Sequence, residues 1–381
     1  MPRAGRDYAA RRNDDLGPGR HAHVSGLSPW LRHRLVTEEE VLRAVLRQHS
    51  PQAAAKFIEE VCWRAYFKGY FEQHPSIWLD YLAQLPRLQA AQQSLPVLRD
   101  TLVTATAGRT GIDCFDAWVQ ELLATGYLHN HARMWFASIW IFTLRLPWQL
   151  GAAFTLRHFL DGDPASNTLS WRWVAGLHTR GKHYVATADN IQRCTGGRFT
   201  AQGLVAAPVP LTEDAEHPLR RLPSSGMPDL EQPAVLLLTE EDLHAESLGG
   251  LAGLDLRAVA APAAAAATEL PPLSAAFRAA ALADGLARAA THFSVPTHTL
   301  PDLSAHSLLG LAQAQGVRQL VTAWAPVGPV ADALDAASTR LQAQGVRLVQ
   351  LRRHYDSTAW PHATRGFFQL RQRIPELLPV F

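Results

Sequence analysis

Along the chain the spacing of hydrophobic positions changes character once. Up to about residue 199 apolar side chains recur every three or four residues, the period of amphipathic helices. Thr37-Glu38-Glu39-Glu40 forms a capping box ahead of Val41, Leu42, Val45 and Leu46 at helical spacing. The pattern predicts helices over 53–73 and 113–123, and a third over 131–144 that is apolar on nearly every face and therefore buried. Nothing before residue 200 alternates with the period of a strand. From 200 to 232 Pro, Ser and Gly accumulate without periodicity, as in a linker. Beyond it, predicted strands at 234–239, 256–260, 295–300, 319–323 and 346–351 are interleaved with predicted helices at 277–291, 306–315 and 330–344. Such alternation predicts a parallel, doubly wound sheet. The alanine-rich segment 258–267 reads as a loop or frayed helix. The fold class expected is thus α plus α/β: an all-helical domain over 1–199, a linker over 200–232 and a Rossmann-like domain over 233–381.

Composition narrows the setting. With 47% hydrophobic and 18% charged residues in 381, the chain can build two sizeable cores. No apolar run reaches the length of about 18 that a membrane helix needs. The polar start MPRAGRDYAARRNDD lacks the apolar segment of a signal peptide, so a cytoplasmic protein is expected. Cys62, Cys114 and Cys194 are far apart and form no CxxC pair, which fits a reducing compartment. Residues 1–199 hold 23 Lys+Arg against 17 Asp+Glu, and residues 200–381 hold 13 against 17. The first half is therefore the basic one, as a polyanionic partner would favour. His21-x-His23 and His129-x-His131 have no acidic or cysteine partner at useful spacing, so no metal site is expected.

Nine of the eleven tryptophans lie between Trp30 and Trp173. Core filling accounts for Trp30, Trp78, Trp118, Trp135 and Trp140. Trp148, Trp171 and Trp173 stand beside polar sequence and need another explanation. The densest segment runs Leu160-Asp161-Gly162-Asp163-Pro164-Ala165-Ser166-Asn167-Thr168-Leu169-Ser170-Trp171-Arg172-Trp173. Two acids, an amide and two indoles so close together require polar partners if buried. Asp161 or Asp163 can cap a helix there. The equally polar stretch Gly126-Tyr127-Leu128-His129-Asn130-His131-Ala132-Arg133-Met134 offers an arginine to pair with one of those aspartates.

These segments resemble the photolyase/cryptochrome family. Gly126 to Met134 meets its pattern G-W/Y-x-H-N-x-x-R-M, and Asp161 to Trp173 its pattern D-G-D-x-A-x-N-x-x-x-W-x-W. Glu59-Glu60-Val61-Cys62-Trp63-Arg64 is similar to its E-x-x-W-R helix, Ser25-Gly26-Leu27-Ser28-Pro29 to its S-x-L-S-P loop, and Tyr8 with Arg12 to a preceding Y-x-x-x-R. The likeness covers about residues 8–199, in family order. It implies FAD as cofactor, with Ser25, Leu27 and Ser28 on the pyrophosphate, Tyr8 near the phosphate side, Asp161 and Asp163 on the isoalloxazine and ribose, Arg133 paired to Asp161, and Asn167 facing flavin N5. It also implies a substrate pocket in which Trp63 and Trp173 sandwich a flipped-out pyrimidine dimer, lined by Glu60, Asn130 and Met134, with Arg12 and Arg64 on the DNA. Asn130, where the (6-4) branch has His, favours a cyclobutane dimer. Trp171 and Trp148 match the first two members of an electron relay. The third would fall near Leu95, so electrons would leave through Trp118, Trp135 or a tyrosine. Val24 stands where the family usually has Thr, and Arg34 where it has Gly.

Family members normally begin with the α/β lobe. Here that pattern comes last, and the segments AVLLLTEEDLHAESL and YDSTAWPHATRGFFQLRQRIP resemble its opening and closing stretches, which implies a circular permutation. The lobe has no GxGxxG and no P-loop, so its antenna pigment, if any, is not legible. The expected function is light-driven repair of cyclobutane dimers in damaged DNA by a monomer. The alternatives are a cryptochrome-like photoreceptor with a signalling partner, and a flavin-binding protein without repair activity.

Overall fold

The computed structural model describes residues 1–263 and 270–378. The chain packs as two compact units. One comprises Met1–Gly26, Ala44–Phe67 and His74–Pro218, the other Leu27–Arg43, Lys68–Gln73 and Leu219–Phe381.

The first half is helical, and none of its described residues up to 199 forms a strand. Its helices are α1 (Arg6–Arg11), α2 (Ser28–Arg32), α3 (Glu38–Leu46), α4 (Ala55–Gln73), α5 (Ser76–Ser94), α6 (Pro96–Thr106), α7 (Asp113–Thr125), α8 (Asn130–Ser138), α9 (Trp148–His158), α10 (Pro164–Ala175) and α11 (Ala188–Cys194). The capping box forms as its spacing predicts. The Thr37 N–H donates to Glu40 Oε2 at 2.8 Å, and the Glu40 N–H to Thr37 Oγ1 at 3.3 Å. The apolar segment expected as one helix over 131–144 is α8 followed by a π turn, Ile139–Thr143. It is buried as expected, and Trp118, Trp135 and Trp140 are wholly enclosed. Trp30 departs from its core assignment. It is 43% exposed, with one edge on Phe277. The segment after α11 has no regular structure, yet the part up to Pro218 is tied into the helical unit. Leu211 N–H reaches Ala175 O, Arg172 pairs with Glu213, and the Ser76 hydroxyl meets His217.

The second unit carries five parallel strands: β1 (Ala234–Leu237), β2 (Leu256–Pro262), β3 (Thr297–Leu300), β4 (Gln319–Ala323) and β5 (Arg347–Leu351). Their order is β3-β2-β1-β4-β5, with α12 (Pro272–Phe293), α13 (Ala305–Ala314) and α14 (Pro329–Ala343) as the long helices between strands. Successive side chains of β1 face opposite ways. Leu236 packs with Val259, Val321, Ala281 and Leu282, whereas Val235 and Leu237 pack with Leu320, Leu308 and Leu334. Both faces are covered, which is why the strands read as apolar runs without alternation. The alanine-rich stretch is a correction. Its residues up to Pro262 complete β2, where small side chains let helices approach a central strand, and positions 264–267 lie outside the described residues.

The strand order reverses between β1 and β4, the place where open α/β sheets take ligands. Here the loop after β4 meets the end of α4. The Val327 N–H donates to Glu72 Oε1 at 2.7 Å. Burial pushes the Glu72 carboxyl up to about 7, against the pull of that N–H and of Arg352. Nearby, Gln73 Nε2 donates to Trp360 O at 2.8 Å.

The segment Leu27–Arg43 is held in this unit by buried charge. Arg32 makes a bidentate pair with Glu241, both contacts 2.7 Å. Arg34 Nη2 reaches Asp356 at 2.7 Å, and its other nitrogens reach Glu38 and Asp242. Arg34 also has φ 46°, the left-handed conformation that favours glycine. Holding a side chain there costs on the order of 1 kcal/mol, which three carboxylates around one guanidinium offset.

Candidate functional site

The helical unit gathers most of the singled-out residues around the starts of α8 and α10. Gly126, at φ 65°, ends α7 in a left-handed turn and sends the chain back toward α8. His129 caps α8, its Nδ1 accepting the His131 N–H at 3.2 Å. One turn further on, Arg133 grips Asp161 through both nitrogens, at 3.1 and 2.9 Å. It also donates to Leu128 O and lies 3.9 Å over the Phe159 ring. The fork is thus fixed on every side, as a bidentate guanidinium allows. Of the two aspartates, Asp163 is the helix cap. Its Oδ1 accepts the Ser166 N–H at 2.7 Å, ahead of Pro164 at the first helical position. Its Oδ2 lies 4.0 Å from Arg64 Nη1.

Glu60, Trp63 and Arg64 sit one turn apart on α4, so they share a face. Arg12, at the end of α1, donates to Glu60 Oε1 at 2.7 Å. Tyr8 lies against Phe57, and burial with the Glu60 charge pushes its phenol above the ordinary range. Burial also raises the Glu60 carboxyl, and Arg12 opposes it. Trp63 is half-buried against Tyr66 and Phe67. On α10, Trp171 is buried at 4% exposure while Trp173 is 37% exposed and stacks on Tyr184 at 5.7 Å. Two residues along a helix face nearly opposite sides, so one indole turns inward and the other toward solvent. Asn130 is exposed and Met134 half-buried. Ser25 is an exposed residue of the helical unit, whereas Leu27 and Ser28 start the segment that belongs to the α/β unit.

Several contributors were not singled out from the sequence. Thr155, on α9, accepts the Trp171 indole N–H at 3.0 Å and donates to Asn167 Oδ1 at 2.9 Å. Trp148 stacks on Tyr81 at 5.8 Å, and Tyr81 on Trp78 at 5.3 Å, so aromatic contact continues from Trp148. The spacing Trp78-x-x-Tyr81 on a helix was the available signal. Leu95, at the α5–α6 junction, is 53% exposed. Trp118 and Trp135 stack with each other at 5.4 Å. The statement that the histidine pairs lack acidic partners is corrected in space. His21 Nε2 is 2.9 Å from Glu121, its Nδ1 is 3.8 Å from Asp15, and His129 stacks on it at 5.6 Å. Spacing along the chain could not reveal Glu121, a hundred residues away. His21 is hydrogen-bonded to Glu121 through Nε2, while Asp15, itself bound by Trp118 and Arg198, stands near Nδ1 as a charge beyond hydrogen-bond distance.

The donor set suits a polar, phosphate-bearing cofactor. Guanidiniums of Arg64 and Arg133 stand beside buried Asp161 and Asp163, and the buried His129 Nε2 has no hydrogen-bond partner among the described residues. With Nδ1 accepting from the backbone, that nitrogen carries the proton and is a donor.

The pattern of the FAD binding domain of DNA photolyase matches residues 57–197. A deoxyribodipyrimidine photo-lyase of Streptomyces griseus is 31% identical over 198 residues, covering 52% of this chain and 40% of its own length. One from Thermus thermophilus is 35% identical over 128 residues, 33% of this chain and 29% of that protein. A solved cryptochrome from Synechocystis aligns over 50% of this chain and 39% of its own, at 22% identity and a TM-score of 0.39. The chain therefore spans about two-fifths of the length of the Streptomyces relative. Among the described residues no helix is long and apolar enough to cross a membrane.

Proposed function

Since this chain belongs to the photolyase/cryptochrome family and takes FAD as its cofactor, we propose that it is a light-driven lyase that splits cyclobutane pyrimidine dimers in DNA. The observation that carries the reading is the pair of indoles with unlike neighbours on α10. Trp171 is buried and hydrogen-bonded, while Trp173 keeps 37% of its surface open. An exposed, backed tryptophan is a stacking platform for a base that has left its duplex. Trp63, on the same helix face as Glu60 and Arg64, supplies the second platform, with Asn130 and Met134 as further lining.

When bound, FAD supplies the one-electron chemistry. The chain's own residues hold and orient. Arg133 and Asp161, paired with each other, and Asp163 bind the cofactor's polar parts, with Ser25 and Tyr8 on its phosphate side. Asn167 presents an amide to the ring system. Arg12 and Arg64 meet DNA phosphates, and Glu60 holds Arg12 in place. Trp171 and Trp148 form the start of an electron path. A helical lobe followed by an α/β lobe fits a circularly permuted member of the family.

The test is a binding titration against matched damaged and undamaged oligonucleotides, paired with light-dependent repair by the reduced enzyme. Preference for the damaged strand and loss of dimers under light are expected. Equal affinity for both strands, with no repair, would overturn the reading in favour of a photoreceptor, for which the leucine at position 95 already speaks.

A further inference from the structure

The hydroxyl of Thr155 is a node between two residues given separate roles. It is 2% exposed on α9 and touches both Asn167 and Trp171. The direction of each hydrogen bond can be assigned. Asn167 Nδ2 donates to Ala152 O at 2.9 Å, which leaves Oδ1 facing Thr155. Gly151 O at 3.0 Å and Ala152 O at 3.2 Å are also within reach of the Thr155 O–H, but two acceptor oxygens at 2.9 Å need a proton between them, so the O–H points at Asn167 Oδ1. The hydroxyl oxygen is then free to accept the Trp171 indole N–H, which only donates. One ordered series results: Trp171 N–H to Thr155 oxygen, Thr155 O–H to Asn167 oxygen, Asn167 N–H to Ala152 oxygen.

The packing keeps this series short. A Cβ on Gly151 would lie 2.3 Å from the Trp171 ring, so only glycine lets α10 approach α9 this closely. Each bond in such a series polarises the next. Without the hydroxyl, the buried indole N–H loses its acceptor and the amide oxygen loses its donor, with Ala152 O left as the amide's remaining hold.

We propose that Thr155 is a positioning residue that holds the Asn167 amide oxygen and couples it to Trp171. This inference rests on the reading of Asn167 as the amide that meets the bound flavin. Oxidation of an indole makes its N–H a stronger donor, and Thr155 passes that change to Asn167 without any proton leaving the series.

The test compares Thr155→Val, which keeps the side-chain shape, with Thr155→Ser, which keeps the hydroxyl. Two readouts are used on the FAD-loaded protein. One is the indole N–H resonance of Trp171, assigned with Trp171→Phe. The other is the rate at which reduced flavin reoxidises in the dark. Thr155→Val should move the resonance and change the rate by about fivefold, the worth of one hydrogen bond, and Thr155→Ser should restore both. If Val packs poorly, Thr155→Ala removes the same hydroxyl and carries the same expectation. A rate in the hydroxyl-free variants equal to wild type, or a Ser variant that behaves like Val, would overturn the proposal. Absence of dimer repair alongside the expected Thr155 effects would instead sink the repair function and leave the coupling standing.

Discussion

In the α/β unit the buried guanidiniums of Arg32, Arg34 and Arg353 all end on carboxylates. Glu241 takes the first, Asp356, Glu38 and Asp242 the second, and Asp242 both nitrogens of the third, at 2.6 and 2.8 Å. In the helical unit Arg172 closes on Glu213 in the same way, whereas Arg133, gripping Asp161, keeps part of its surface open. Around Arg133 stand a half-exposed Arg12–Glu60 pair, a tryptophan 37% exposed, and a buried histidine nitrogen with no hydrogen-bond partner among the described residues. Closed charge can serve only to hold parts together, because nothing is left to offer a ligand. Open polar groups are costly to a fold and persist where something else completes them. At these residues the difference separates charge that serves cohesion from polar groups left to a ligand.

The comparison is most exposed to failure at Arg34. Arg34→Gly relieves the left-handed backbone but strands buried carboxylates, so the chain should lose about 3–5 kcal/mol of stability. Chemical denaturation measures it, and unchanged stability would show that the closed network holds nothing. Glu72 tests the same unit through pH. Its carboxyl has an ordinary value of 4.5 and a folded value of about 7. Below 4.5 both folded and unfolded chains are protonated and the contribution to stability is full. It is lost as pH rises toward 7, by about 3 kcal/mol in total. Glu72→Gln should flatten that slope while keeping the acceptor for Val327, and denaturation on either side of the window reads it.

The helical unit should respond in ligand binding more than in cohesion. Trp63→Ala should weaken binding to a dimer-containing oligonucleotide by about ten- to a hundredfold, from base stacking alone, with affinity for undamaged DNA nearly kept. Equal losses on both strands would place Trp63 outside the pocket. The smallest effect is expected at Asp163→Ala, where the lost helix cap costs about 1 kcal/mol. FAD occupancy, read from absorbance after purification, should fall further than that modest loss of stability explains. Full occupancy would leave Asp163 a cap only.

The order of elements was legible because each follows from local pattern. A capping box, helical spacing over most of the first half and five apolar runs between helices fix what forms where, since these depend on neighbours a few residues apart. That the arginine at 133 pairs with one of the two aspartates was legible too, as two polar segments in otherwise apolar surroundings leave few partners; that it is Asp161 was implied by the family resemblance and is what the structure has. What the sequence could not show depends on contacts between distant residues. Asp15 and Glu121 meet at His21 across a hundred positions, Thr155 joins Asn167 to Trp171, and Tyr81 extends the stack from Trp148. The alanine-rich stretch forms a strand up to Pro262 because an interior strand accepts small side chains on both faces. Arg34, which stands where the resemblance would put Gly, has the left-handed backbone that favours glycine. Only the folded chain could supply the three carboxylates that hold it there, one from the start of the next helix and two from more than two hundred residues away.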